Sequence, residues 1–130
     1  MEKPSKLLLI DDDESVLANL RYFLSDKKYD VSSASDGLEG LKLLETEEQG
    51  FDLVITDLVM PNISGVGLIA IIKKKFPSLP VIAITGWGEH PEELATEFQA
   101  DQILEKPFEL SELDKVINEL ISSKKHKLKD

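Results

Sequence analysis

The chain of 130 residues contains no cysteine, which excludes disulfide bonds and thiolate metal sites. It also has no long apolar run near its amino end. Residues 7–10 are the only such run before three acids, and four residues are too few for a signal-peptide core or a membrane span. Both absences fit a reducing compartment, so we predict a cytoplasmic protein that does not insert into a membrane.

Basic residues are in deficit, with 15 Lys and Arg against 25 Asp and Glu and a formal net charge of −10. Four of the lysines lie in the tail 124–130, so the rest of the chain is more acidic still. An acidic surface repels phosphate backbones, and we therefore predict no direct binding of nucleic acid. The tail lysines are expected to complement the dipole of a last helix.

Linkers, low-complexity tracts and sequence repeats are absent as well. A chain of 130 residues with 42% hydrophobic composition suits a single continuous core. We predict one domain over 1–130, with 1–5 as an amino-terminal extension and 124–130 as a basic carboxyl-terminal tail.

The chain does contain a regular alternation of short apolar runs with helical periodicity. Strands are predicted at 7–10, at 31–34, in a run that ends at Asp57, at 81–84 and at 102–104. The predicted helices carry these apolar positions: Val16, Leu17, Leu20, Phe23 and Leu24; Leu38, Leu41 and Leu44 or Leu43; Val66, Ile69, Ile72 and Phe76; Leu94, Ala95 and Phe98 after Pro91; and Leu113, Val116, Ile117, Leu120 and Ile121. Such alternation predicts an α/β fold with a parallel sheet covered by helices on both faces.

Polar residues follow the carboxyl ends of four predicted strands, and they are Asp11, Asp12, Asp13, Asp57, Thr85 and Lys106. Each has an ordinary explanation, since acids and threonines cap helices and a lysine is common on a surface. Ligands of open α/β sheets, however, bind outside the carboxyl ends of the strands. Convergence of these groups on one edge therefore favours a binding site.

Electrostatics indicates what this edge binds. Two carboxylates about 4 Å apart near a protein surface repel by roughly 4 kcal/mol, so clustered acids need a counter-ion. Oxygen ligands around an open, hydrated position suit Mg²⁺. Beside such an ion the Asp57 carboxylate can attack phosphorus, while a hydroxyl and an ammonium group bind the remaining oxygens. The residues predict phosphoryl transfer.

Four segments carry a resemblance to a known family. The segments LLLIDDD, VITDLVMP with the following Ser64 and Gly65, VIAITG, and LEKPF occur in this order and resemble the receiver domain of two-component response regulators. The resemblance covers essentially the whole chain. It implies a flavodoxin-like, doubly wound sheet of five parallel strands in the order 2-1-3-4-5. It also implies a phosphoacceptor signalling domain rather than an enzyme.

The resemblance implies partners and a metal site. Asp57 would accept a phosphoryl group from the phosphohistidine of a sensor histidine kinase or a phosphotransfer protein, and a downstream protein or an attached output domain would receive the signal. Mg²⁺ would be ligated by Asp12, Asp57 and the backbone carbonyl of Val59, with Asp11 acting through water.

The resemblance also implies a switch. Thr85 would hydrogen-bond the phosphoryl group, and Lys106 would pair with it and precede a cis peptide bond to Pro107. Ile103 stands where the family usually has an aromatic residue. We expect Thr85 to move toward the phosphoryl group, Ile103 to fill the vacated space, and the signal to leave through the predicted fourth helix and fifth strand.

Two bulky residues flank the path of an attacking water in this family. Val59 and Trp87 cannot orient that water well, so we predict slow autodephosphorylation. The two histidines, His90 and His126, have no ligand-like spacing and are predicted to be exposed and without a chemical role.

Two other functions remain open on sequence alone. One is a Mg²⁺-dependent phosphatase of the haloacid-dehalogenase type with Asp11 as nucleophile, although the acidic pair expected after Lys106 and a substrate-covering cap are missing. The other is a receiver-like binding module that works without phosphorylation. The sequence also leaves open the cognate kinase, the output, whether the domain stands alone or belongs to a hybrid kinase or transcription factor, and whether it forms a homodimer.

Overall fold

The computed structural model describes residues 3–58, 65–86 and 100–129. They form five strands, β1 (Lys6–Ile10), β2 (Asp30–Ala34), β3 (Leu53–Asp57), β4 (Val81–Thr85) and β5 (Gln102–Glu105). They also form four helices, α1 (Glu14–Asp26), α2 (Gly37–Thr46), α3 (Gly65–Lys75) and α4 (Leu110–Lys129). The helix predicted after Pro91 lies outside the described residues.

All five strands are parallel and lie in the order β2-β1-β3-β4-β5, which confirms the predicted topology. The register places Ile10 of β1 between Ala34 of β2 and Thr56 of β3. It also places Asp57 of β3 opposite Ile84 of β4. The carboxyl ends of all the strands therefore meet along one edge of the sheet, which we call the rim.

The sheet has a packed core on each face. Every residue of β3 and β4 is buried, as expected of central strands covered by helices on both sides. Alternate strand residues pack against α2 and α3 on one face and against α1 and α4 on the other. The core side chains of the four helices are Leu17, Leu20 and Leu24 in α1, Leu44 in α2, Leu68, Ile69 and Ile72 in α3, and Leu113, Ile117 and Ile121 in α4.

The prediction for α2 is wrong at one position. The leucine pattern predicts Leu38 on the inner face, but 62% of it is exposed, whereas Gly37, Gly40 and Leu44 are buried. At about 100° per residue, Leu38 lies roughly 120° from the centre of that buried face. The buried glycines let the helix backbone approach the sheet, and the large side chain at 38 then points to solvent.

The basic tail continues α4, whose backbone is helical as far as Lys129. Among the helices described here, none combines the length and the apolar composition that crossing a membrane requires.

Candidate functional site

Three carboxylates meet at the rim. One oxygen from each of Asp11, Asp12 and Asp57 lies within 4.8 Å of the other two. Asp11 follows β1 and Asp57 ends β3, and these strands are neighbours in the sheet, so the fold itself brings the acids together. Asp11 and Asp57 are only 3% and 8% exposed, whereas Asp12 is open to solvent. The cluster thus has a buried floor and one accessible side.

The Asp11 carboxyl is held by its neighbours on one side only. Its Oδ1 accepts a hydrogen bond of 2.9 Å from the backbone N–H of Asp13. Its Oδ2 is buried and has no hydrogen-bond partner among the described residues. Burial raises the pKa of this carboxyl, and the negative charges of Asp57 and Asp12 raise it further. The hydrogen bond from the Asp13 N–H and the positive charge of Lys106 lower the pKa and so offset part of this rise.

These residues fit a divalent cation. A buried carboxylate oxygen without a partner and repulsion among three acids are both relieved by a positive ion at the same place. The donor set consists of carboxylate oxygens, which suit hard ions such as Mg²⁺ rather than metals that prefer sulfur or imidazole. The cluster is of the kind typical of a Mg²⁺ site.

The backbone of Asp57 is fixed on both sides. The Thr56 hydroxyl donates a 3.0 Å hydrogen bond to the Asp57 carbonyl, and the next amide, that of Leu58, donates to the Ile84 carbonyl at 3.1 Å. Thr56 is fully buried. Sequence reasoning missed this residue, although a hydroxyl within an otherwise apolar strand is itself a signal that a nearby polar group needs a partner.

Thr85 and Lys106 complete the described part of the rim. Thr85 ends β4 with no exposed surface, and its hydroxyl has no partner among the described residues. Its carbonyl accepts a 2.8 Å hydrogen bond from the backbone N–H of Lys106. The peptide bond between Lys106 and Pro107 is cis, as predicted. The positive charge of Lys106 lowers the pKa of Asp11, so Lys106 offsets part of the negative charge of the acids.

Two other predicted residues, Asp13 and Ile103, have different roles in the described structure. Asp13 is the N-cap of α1, and its carboxylate accepts hydrogen bonds from the amides of Ser15 and Val16, as expected for one of the three acids. Ile103 is partly buried and packs against the core beneath α2 and α3. Three more, Val59, Trp87 and His90, lie outside the described residues, and nothing is described of the His126 side chain.

Comparison with known proteins assigns the site to a family. Residues 7–118 match the family described as Response regulator receiver domain. A solved receiver domain protein from Clostridium thermocellum is 36% identical, with a TM-score of 0.86 over 93% of this chain and 97% of that chain. Another, from Methanospirillum hungatei, is 25% identical, with a TM-score of 0.87 over 95% of this chain and 98% of that chain.

Curated relatives are longer than this chain. The transcriptional regulatory protein GlrR of Escherichia coli is 38% identical over 92% of this chain but only 27% of its own length. The alkaline phosphatase synthesis transcriptional regulatory protein PhoP of Bacillus subtilis is 34% identical over 84% of this chain and 45% of its own length. With the match over 7–118 and the acidic cluster at the rim, this chain belongs to the response regulator receiver domain family of two-component signalling, whose members are signalling phosphoacceptors rather than conventional enzymes.

Proposed function

We propose that Asp57 is the phosphoacceptor, and that it receives its phosphoryl group from the phosphohistidine of a sensor histidine kinase or a phosphotransfer protein. The observation that carries the proposal is the meeting of Asp57 with Asp11 and Asp12 within 4.8 Å at the rim. Membership of the family implies a histidine kinase as partner. Asp57 supports the acceptor role because it ends a central strand with its backbone fixed and its carboxylate at the sheet edge where ligands of such folds bind.

Mg²⁺ is the cation proposed for the cluster. Asp12, Asp57 and the backbone carbonyl of Val59 would ligate it, and Asp11 would contribute through water. The orphan Oδ2 of Asp11 supports this arrangement. When bound, the ion neutralises the acids and draws electron density from a phosphoryl oxygen.

In the proposed transfer, a carboxylate oxygen of Asp57 forms a bond to phosphorus while the bond from phosphorus to the imidazole nitrogen of the donor breaks. The electron pair of that bond stays on the nitrogen, and the product is an acyl phosphate. Lys106 places a positive charge where the phosphoryl oxygens carry negative charge, and the Thr85 hydroxyl donates to one of them. The Thr85 hydroxyl is buried without a partner among the described residues, which supports this role, because such a donor is costly until a partner arrives.

The same hydroxyl is the proposed start of the switch. Thr85 would move toward the phosphoryl group, and Ile103, which lies on the same face of the sheet beside Ala83, would fill the space it leaves. The signal would leave through β5 and the helix predicted after Pro91. Amide chemical shifts with and without beryllofluoride test this sequence of events. Shifts confined to the acids would refute it.

Val59 and Trp87 support a long-lived phosphorylated state, because neither side chain can orient an attacking water. The half-life of the acyl phosphate after donor removal measures this. Replacing Val59 by Asn should shorten the half-life, and an unchanged half-life would contradict the idea.

Labelling with acetyl phosphate and Mg²⁺, read by intact mass, tests the acceptor directly. The unaltered protein should gain one phosphoryl group, Asp57→Asn should gain none, and Asp11→Asn should be labelled weakly. The phosphatase alternative predicts the opposite pattern, with Asp11→Asn as the unreactive variant. A binding module that works without phosphorylation predicts no labelling of any of the three.

The output is proposed from the longer relatives. The chain matches only 27% and 45% of two regulators whose names describe transcriptional regulation. We propose that this receiver controls either an attached output domain or a separate downstream protein. Its own net charge of −10 argues against contact with nucleic acid by the receiver itself.

A further inference from the structure

A mostly buried lysine side chain lies at the edge of the sheet opposite the rim, paired with a carboxylate that is 36% exposed. The Lys73 side chain, near the end of α3, is only 10% exposed. Its ammonium group donates to the Leu79 carbonyl at 2.8 Å and pairs with Asp101 Oδ2 at 2.6 Å. Leu79 leads into β4 and Asp101 immediately precedes β5, so this one side chain joins three elements.

Asp101 has a second set of contacts with the first residue of β4. Its Oδ2 also accepts a 2.8 Å hydrogen bond from the Val81 amide, and its own amide donates to the Val81 carbonyl at 2.8 Å. The carboxylate oxygen thus receives both an ammonium and an amide proton. Charge-assisted hydrogen bonds are among the stronger polar contacts in proteins, and here solvent at the 36% exposed Asp101 side chain screens the ion pair in part.

The edge strand needs such a contact more than a central strand does. A comparable aspartate, Asp52, accepts a 2.7 Å hydrogen bond from the amide of Lys6 and donates to the carbonyl of the same residue at 2.7 Å, which joins the starts of β3 and β1. β1 and β3 both have neighbouring strands on two sides. The Lys6 ammonium group forms an ion pair with Glu47 and not with Asp52. In the part of the chain that the structure describes, β5 has four residues and β4 as its single neighbouring strand. Of these two aspartates, Asp101 is the one that also forms an ion pair with a lysine of a helix.

We infer that the Lys73–Asp101 pair anchors the start of β5 to α3 and β4, and so restricts any conformational response to the rim end of β5. The register places Gln102 beside Ile82 near the anchor, and Glu105 beside Thr85 at the rim. With the anchored end held, movement at Thr85 bends the rim end of β5 and leaves the strand register unchanged. Without the anchor, the whole edge strand shifts. The statement about movement at Thr85 rests on the proposed function, whereas the Lys73–Asp101 anchor does not.

Native-state hydrogen exchange of the full chain tests the anchor. Lys73→Met keeps the length of the side chain and removes the ammonium group, and Asp101→Asn keeps the shape and removes the charge. Both should lower the protection of the β5 amides by a factor on the order of ten relative to those of β1, the typical net effect of one hydrogen bond to a charged group. Lys75→Met is the matched control, because it removes a lysine from the same helical turn whose partner, Glu45, forms an ion pair exposed on both sides. It should leave β5 unchanged.

The response to beryllofluoride tests whether the anchor restricts movement to the rim end of β5. With beryllofluoride and Mg²⁺, changes in amide exchange within β4 and β5 of the unaltered protein should be confined to the end at Thr85 and Glu105. In both variants these changes should extend to Gln102. Equal protection of β5 in all proteins would overturn the inference, as would an equal loss of protection in β1, β3 and β5, which indicates general destabilisation. Acetyl phosphate labelling separates the two proposals. Failure to label the unaltered protein counts against Asp57 as acceptor, while exchange without beryllofluoride still decides the anchor.

Discussion

At the scale of single residues, the ionised Asp11 carboxylate carries a cost that a cation, protonation or a neutral substitute would relieve. Its folded pKa lies above the ordinary value of 3.8, with burial as the largest cause. The folded protein therefore holds this proton more tightly than the unfolded chain does. The contribution of Asp11 to stability without metal is greatest below pH 3.8 and is lost as the pH rises through the raised folded pKa.

We expect Asp11→Asn to stabilise the protein in EDTA at pH 7 by about 1 kcal/mol, the size of a screened like-charge contact. Urea denaturation measures the change. Asp26→Asn, an exposed acid at the end of α1, makes the same change in net charge and should have little effect. A loss of stability in Asp11→Asn would mean that the carboxylate has favourable contacts that outweigh its repulsion.

Tyr29 is a second residue whose environment has a measurable consequence. Its hydroxyl donates a 2.9 Å hydrogen bond to Asp114 of α4, which joins the residue before β2 to a helix 85 positions later in the chain. Burial raises the pKa of the phenol well above 10.0, and the hydrogen bond and charge of Asp114 raise it further. The neutral phenol is thus favoured in the folded state, and its contribution is complete below pH 10 and lost as the pH rises beyond it.

Tyr29→Phe should cost about 1 kcal/mol at pH 7, the typical net value of one hydrogen bond. The variant should also lose less stability than the unaltered protein between pH 10 and pH 11, because it has no phenol to ionise. Denaturation curves at the three pH values measure both effects. Tyr22→Phe is the control, since Tyr22 is 82% exposed. Parallel pH profiles for Tyr29→Phe and the unaltered protein would contradict this reading of the contact.

At the scale of elements, α2 approaches β1 through a glycine. A Cβ added at Gly40 would lie 2.5 Å from Ile10 Cδ1, closer than carbon atoms pack, and in tight contact with Cγ1 at 3.0 Å. Ile10 is almost fully buried, and the next residue is Asp11. The distance of α2 from the sheet therefore depends on a small residue at 40 and a large one at 10.

We expect Gly40→Ala to destabilise the protein by roughly 1–3 kcal/mol through overpacking, less any gain from the better helix propensity of alanine. Adding Ile10→Val removes Cδ1, the atom in closest conflict, and should recover part of the loss. A double-mutant cycle by denaturation measures this coupling. Strict additivity of the two substitutions would show that the close approach is relieved by a helix shift that does not involve Ile10.

The element boundaries show what periodicity can and cannot predict. The runs that form β3 and β4 are short, apolar and rich in β-branched residues, and they lie between turn residues, a combination that favours buried strands. The face of α2 was mispredicted at Leu38 because hydrophobic patterns count leucines and overlook buried glycines. The Lys73–Asp101 pair could not be predicted, because Lys73 is one of three consecutive lysines and such a run is expected at the surface. Only the tertiary structure shows that Asp101 lies within its reach.

At the scale of the whole molecule, the site follows from topology. Once alternating strands and helices imply a parallel sheet, residues at strand ends 46 positions apart, such as Asp11 and Asp57, must meet at one edge. Hence the acids, Thr85 and Lys106 could be placed at the rim from sequence. Which oxygen is buried without a partner could not be predicted, because that depends on the Asp13 amide taking one oxygen of Asp11 and leaving the other.

Cation binding at the acidic cluster and screening of the overall negative charge predict different responses of stability to added salt. A cation bound at the rim stabilises only the folded state, by about 2.7 kcal/mol at one hundred times its dissociation constant. General screening of a net charge of −10 acts with any salt and is diffuse. We therefore expect MgCl₂ to raise the melting temperature clearly above the value in NaCl at equal ionic strength. The excess should fall sharply in Asp57→Asn and persist in Asp26→Asn, because only the first removes a carboxylate from the cluster. Equal melting temperatures in the two salts would mean that the three acids respond to ionic atmosphere alone, and the case for a cation at the rim would fail.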